Sequence, residues 1–166
     1  MADVDPSLFA NKFAAWQHSQ EQPWNRLRYL LVEATLRRLI GDQASLHVLD
    51  VGGGDGRDAL PLARQGHTVL VLDYVSEMLA AATQRAAEAG LQERVAVQLA
   101  TVDAGDLPVV PGSYDLVLCH NVLQYLHNPA RLLQASAAAL RPGGWFSLLV
   151  PNPASEALRQ ALQQHD

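Results

Sequence analysis

His47-Val48-Leu49-Asp50-Val51 is an apolar run interrupted by one acidic residue, and four glycines follow within five positions: Gly52, Gly53, Gly54 and Gly56. A near-continuous apolar run of this length suits a strand buried on both faces of a parallel sheet. Glycines directly after it permit a tight turn and let the backbone approach a ligand closely. In doubly wound α/β sheets such a turn lies at the carboxyl ends of the strands, where ligands bind. The feature therefore predicts an α/β fold with a ligand site at the first strand's end.

The glycine spacing narrows the ligand. The dinucleotide fingerprint is G-x-G-x-x-G. Counting from Gly52 puts Arg57 in its third position, and counting from Gly53 puts Asp55 in its second. Counting from Gly54 ends on Ala59, tolerated only as the variant ending. The pattern that does run through the segment is D-x-G-x-G-x-G, from Asp50 through Gly52 and Gly54 to Gly56. A carboxylate two residues before the first glycine repels a pyrophosphate in a poorly screened turn. It suits a ligand that carries an ammonium and a sulfonium and no phosphate, which favours S-adenosylmethionine (SAM) over NAD.

Four further runs, residues 68–73, 94–99, 114–119 and 145–150, repeat the strand signature of residues 46–51 at intervals that leave room for crossover helices. Ser76 and Gly90 bracket one helix, as cap and stop. Asn128-Pro129 opens another that runs to Leu140 and stops at Arg141-Pro142-Gly143-Gly144. Residues 23–40 place Leu27, Leu30, Leu31, Ala34 and Leu39 on one apolar face. Phe9, Phe13 and Trp16 stand at helical spacing upstream. The organisation expected is a helical cap or lid over residues 1–44 and a Rossmann-like domain over 45–166.

At 166 residues, 49% hydrophobic and 17% charged, the chain is one ordinary globular domain. A net charge of −5 supplies no global field for nucleic acid. The single cysteine, Cys119, gives neither a disulfide nor zinc spacing, and the six histidines form no ligand pair, so no metal is expected. With no signal-like N-terminus and no membrane-length apolar run, a cytoplasmic location is the expectation.

Beyond the loop, Asp73 closes the second strand 23 residues after Asp50. It is placed to accept both ribose hydroxyls of a nucleoside, or else is a solvated strand-end carboxylate. Asp103, in the polar turn after the third strand, either accepts from the adenine amine or caps a short helix. His120 ends the fourth strand, where it serves as a general base or lines the pocket. Trp16, His18, Trp24, Arg26 and Arg28 are the substrate-contacting lid residues expected from position and composition. Arg26, Arg28, Arg37 and Arg38 otherwise form a solvated helix face.

Together the D-x-G-x-G-x-G run, Asp73, Asp103, the His120 strand end and Leu140-Arg141-Pro142-Gly143-Gly144 resemble the class I SAM-dependent methyltransferases over about residues 45–150. The resemblance implies a mostly parallel sheet in the order 3-2-1-4-5. It also implies a cofactor set of Asp50, Gly52, Gly53, Gly54, Gly56, Asp73, Tyr74, Met78, Val102, Asp103 and His120. The product would be S-adenosylhomocysteine. Phe9 to Phe13, Arg26 to Arg28, Val48 to Gly56, Gly66-His67 and His120 with Val122-Leu123 look most like bacterial enzymes that methylate the carboxylate of a modified tRNA wobble uridine. Small-molecule methyltransferases share much of this pattern. The family's sixth and seventh strands have no counterpart here, so the fifth strand is expected to be an exposed edge. Either the chain is a fragment or another chain, such as a second copy in a homodimer, covers that edge. The alternative function is then a SAM-binding or dimerisation module without transferase activity.

Overall fold

The computed structural model describes residues 13–102 and 106–152. Helices α1 (Phe13–Gln20) and α2 (Pro23–Ile40) lead into β1 (His47–Val51), α3 (Ala59–Arg64), β2 (Thr68–Asp73), α4 (Ser76–Glu88), β3 (Val95–Leu99), β4 (Tyr114–His120), a 3-10 turn (Leu123–Tyr125), α5 (Pro129–Ala139) and β5 (Leu140–Leu149). The five strands form one sheet in the order β3-β2-β1-β4-β5, and every pairing is parallel. This is the doubly wound topology expected. The order reverses between β1 and β4, and ligands bind at such a switch point.

Side-chain alternation along the central strands sends consecutive residues to opposite faces. Val48 of β1 joins Leu36 and Ile40 of α2, Leu62 of α3 and Leu79 of α4 in one buried cluster. Leu49 and Val51 join Val117 and Cys119 of β4 and Leu132 of α5 on the other face. Both faces are thus covered around β1 and β4, and the glycine turn emerges between them. At the far end of the sheet His67 is buried, and its Nδ1 accepts the Leu46 N–H at 3.1 Å. Burial lowers its pKa, which holds the ring neutral. Among the described residues no helix is long and apolar enough to cross a membrane.

Several local expectations need correction. The inward line of α2 runs through Tyr29, Val32, Leu36 and Ile40 at helical spacing, while Leu27, Leu30, Leu31, Ala34 and Leu39 are exposed. Polar Asn25 and Arg28 belong to the inward side because it borders a cleft, so the leucine pattern pointed the wrong way. β3 is an edge strand and largely exposed, not buried on both faces. Ser76 does not cap α4. Its hydroxyl bonds to Glu77, and the Asp73 carboxylate takes the Val75 N–H instead. Asn128 holds the N-cap position of α5, with Pro129 first in the helix, but makes no side-chain cap bond.

β5 begins at Leu140, five residues before the expected start. Arg141-Pro142-Gly143-Gly144 bulges out between the Tyr114–Leu140 and Leu116–Trp145 pairings. Gly143 has φ +80, and a Cβ on Gly144 would stand 3.0 Å from the Asp115 carbonyl oxygen. A helix-stop sequence is here also a sheet bulge. The helical segment expected from Ala154, together with Phe9 and Asp103, lies outside the described residues.

Candidate active site

The carboxyl ends of β1, β2 and β4, with α1 and α2 above them, enclose a cleft of about 1170 Å³. Ligand pockets commonly span about 300–1,000 Å³, so a cofactor and an acceptor fit together. Asp50, Gly52, Gly53, Gly54, Asp73, Tyr74, Met78, Val102 and His120 all line it.

Asp50 lies directly beneath the loop. It is 1% exposed, and a Cβ on Gly53 would come within 2.5 Å of its carboxyl carbon. Only glycine allows that approach. The Asp50 Oδ2 is buried without a hydrogen-bond partner. Burial, and then the charges of Asp58 and Asp73, raises its pKa well above the ordinary carboxylate value.

Asp73 accepts the Gly54 N–H at 2.9 Å through Oδ2 and the Val75 N–H at 3.0 Å through Oδ1. A carboxylate offers about four acceptor sites, so Asp73, which the Tyr74 N–H also approaches, keeps capacity for a ligand hydroxyl. Burial raises its pKa despite those backbone bonds. Gly56 does not line the cleft. A Cβ there would meet the Ala82 Cβ at 3.2 Å, so this glycine lets the turn pack against α4. Below the loop, Asp55 pairs with Arg57 and Arg85, each at 3.0 Å, and Arg57 reaches Glu21 at 2.7 Å. These pairs tie the turn to α4 and to the α1–α2 junction.

A second polar group sits at the β4 end. His120 Nδ1 is 3.0 Å from Asp58 Oδ2, and Nε2 is 2.8 Å from Ser147 Oγ. The same Asp58 oxygen accepts from Arg28 at 3.3 Å, and that guanidinium stacks 3.7 Å from the Tyr29 ring centroid. Burial pushes the Tyr29 phenol up to about 12. Cys119 points into the core, where burial drives its thiol to about 12, so it stays protonated and inert.

The profile of a methyltransferase domain family matches residues 49–148. That stretch holds the loop, both strand-end carboxylates of the cleft, His120 and Ser147. The chain belongs to the SAM-dependent methyltransferase family. It is 33% identical over 130 residues to the tRNA 5-carboxymethoxyuridine methyltransferase of Escherichia coli K12, covering 76% of this chain and 49% of that protein. It is 36% identical over 159 residues to the ubiquinone biosynthesis O-methyltransferase of Sodalis glossinidius, covering 91% and 62%. The chain thus spans about half to three-fifths of the length of these relatives. A SAM-dependent methyltransferase structure from Aquifex aeolicus superposes with a TM-score of 0.67 at 21% identity, covering 87% of this chain and 71% of that one. The cyclase SpnF superposes at 0.69 and 24% identity over 77% and 46%. Both structural likenesses show the fold alone, since one fold hosts different chemistries.

The cleft residues fit the family's cofactor. An orphaned, buried carboxylate under a glycine turn is a ready partner for an ammonium group. Asp73 has acceptor capacity left at the second strand's end. Of the five lid residues expected, Trp16 and Arg28 line the cleft and His18 does not, and Arg28 is committed to Asp58. Trp24 is 68% exposed, and neither it nor Arg26 is among the cleft residues. The residues not foreseen are Asp58 and Ser147. Asp58 is the N-cap residue of α3 yet makes no capping bond, because its carboxylate serves His120 and Arg28. A Gly-Arg-Asp-Ala sequence at a helix start signals a cap and hides that use.

Proposed function

We propose that this chain binds S-adenosylmethionine in the cleft and transfers its methyl group to an acceptor oxygen or nitrogen. That acceptor belongs to a small molecule or to a modified tRNA base, as the names of the relatives suggest. The observation that carries the reading is the unpartnered Asp50 carboxylate beneath the glycine turn. On this reading Asp50 with Gly52, Gly53 and Gly54 holds the methionine end, Asp73 the ribose, and Tyr74, Met78 and Val102 flank the nucleoside. Asp103 is assigned to the adenine amine. When bound, SAM supplies an electrophilic methyl carbon on a sulfonium. The chain's own residues orient the acceptor behind that carbon, exclude water through α1 and α2, and set the proton inventory at His120.

Calorimetry with SAM and S-adenosylhomocysteine is expected to give saturable binding of both, with no heat from NADH. Binding of NADH and not SAM would overturn the reading.

A second reading, a SAM-binding module that dimerises without transferring methyl groups, is supported by exposed Leu148 on the outer strand β5. Light scattering during size exclusion then shows a dimer whose population rises with concentration. A concentration-independent monomer counts against pairing through that edge.

A further inference from the structure

We propose that Asp58 and Ser147 are positioning residues that hold His120 as the Nδ1–H tautomer, with a basic Nε2, for an acceptor that arrives protonated. This rests on the methyltransferase reading and adds the class of acceptor. The four residues come from four elements: Arg28 from α2, Asp58 from the N-terminus of α3, His120 from the end of β4 and Ser147 from β5. An ionised carboxylate only accepts hydrogen bonds. Asp58 Oδ2, already accepting from Arg28, therefore requires the proton on His120 Nδ1. The Nε2 lone pair is then the free one, and the Ser147 hydroxyl donates to it at 2.8 Å. A ring fixed by the hydrogen bond at its other nitrogen is the arrangement that makes histidine a directed base.

The set tolerates both protonation states. A serine hydroxyl is a donor and an acceptor. When Nε2 gains a proton, Ser147 can turn to accept from it while Asp58 faces the imidazolium. Neither partner has to leave. His120 is 8% exposed and lines the cleft, so a ligand hydroxyl that displaces the Ser147 hydroxyl meets Nε2. In the step that follows, the acceptor O–H bond breaks and its proton goes to Nε2. The electron pair left on oxygen forms the bond to the methyl carbon, and the S–C pair stays on the departing thioether sulfur.

The charges of the cleft select the same class. Asp50, Asp55, Asp58 and Asp73 line it, and both lining arginines are already paired, Arg28 with Asp58 and Arg57 with Asp55 and Glu21. With Asp55 and Asp58 held in ion pairs, a carboxylate acceptor would meet Asp50 and Asp73 and, among the described lining residues, no uncommitted arginine, and it would not need a base. A neutral hydroxyl avoids the repulsion and uses His120.

The deciding measurement is nitrogen-15 NMR of imidazole-labelled protein without ligand, with the His120 signals assigned by their loss in His120→Gln. The wild type is expected to show a protonated Nδ1 and an unprotonated Nε2. Asp58→Ala is expected to move the proton toward Nε2, Asp58→Glu to restore it, and Ser147→Ala to leave it on Nδ1. A His120 tautomer unchanged in Asp58→Ala overturns the positioning role. Because no cofactor is present in that experiment, a failure of SAM to bind in calorimetry sinks the methyltransferase reading separately.

For the acceptor class, methyl transfer from SAM to catechol is expected to exceed transfer to benzoate, with kcat for catechol falling at least about tenfold in Asp58→Ala and about 10²–10⁴-fold in His120→Gln. In Asp58→Ala the KM for SAM should stay within about twofold, since Asp58 is not assigned to hold SAM. Transfer to benzoate equal to or above that to catechol, or to neither by protein that binds SAM, overturns the hydroxyl assignment.

Discussion

Gly54→Val is expected to abolish SAM binding while the chain stays folded. Gly54 has φ +55, and a Cβ built there meets only Met78 Sδ at 3.8 Å and Trp16 Cη2 at 4.0 Å. The added side chain therefore projects into the cleft and not into the core. Its steric cost to the protein alone is the left-handed backbone, about 1–2 kcal/mol for a residue with a Cβ. Affinity suffers more, because valine occupies ligand space and strains the peptide whose N–H donates to Asp73. The loss should reach at least about a hundredfold, or about 2.7 kcal/mol. Calorimetry against SAM reads the affinity, and circular dichroism confirms the fold. Retained micromolar affinity would place the cofactor site elsewhere. Gly53→Ala is the contrasting variant: its Cβ would sit 2.5 Å from the Asp50 carboxyl and 2.9 Å from Val71 Cγ1, so it strikes the packing of β1 and β2 directly.

The sheet was legible because its central strands carry their burial in their composition. Val48 to Val51, Val69 to Leu72 and Leu116 to Cys119 are almost wholly apolar, since helices cover both of their faces. Its margins were not legible in the same way. β3 has the same β-branched character but lies at an edge, and residues 141–144 read as a helix stop while also bulging into β5. On α2 four leucines, Leu27, Leu30, Leu31 and Leu39, face outward, yet the helix turns Arg28, Tyr29 and Leu36 toward the protein because part of what it covers is a polar cleft. The cofactor loop could be read because its residues are contiguous and glycine is the one residue that fits there. The His120 partners could not, since Asp58 and Ser147 stand 62 and 27 residues away and meet only once the strands are in register.

Asp50→Asn is expected to change stability and affinity in opposite directions. With SAM absent, Asp50 is buried under Gly53 with Oδ2 unpaired, and Asp58 and Asp73 add like charge. Its native pKa therefore lies well above the ordinary 3.8, first through burial and then through those two carboxylates. Between 3.8 and that raised value the folded protein holds a proton that the unfolded chain has released. In this window stability falls as pH rises, and above it the full penalty remains. Asparagine keeps the shape and removes the charge, so the variant should melt at a higher temperature near neutral pH and lose that acid-side slope. SAM binding should weaken by about 1.5–3 kcal/mol, the worth of a hydrogen bond to a charged group. In the wild type, a cationic ligand group brought beside Asp50 favours its ionised form. Binding below the raised pKa should then release a proton, and the calorimetric enthalpy should depend on the buffer's heat of ionisation. In Asp50→Asn that dependence should diminish. A variant that loses both stability and affinity would show that Asp50 supports the loop's structure and does not meet the cofactor's charge.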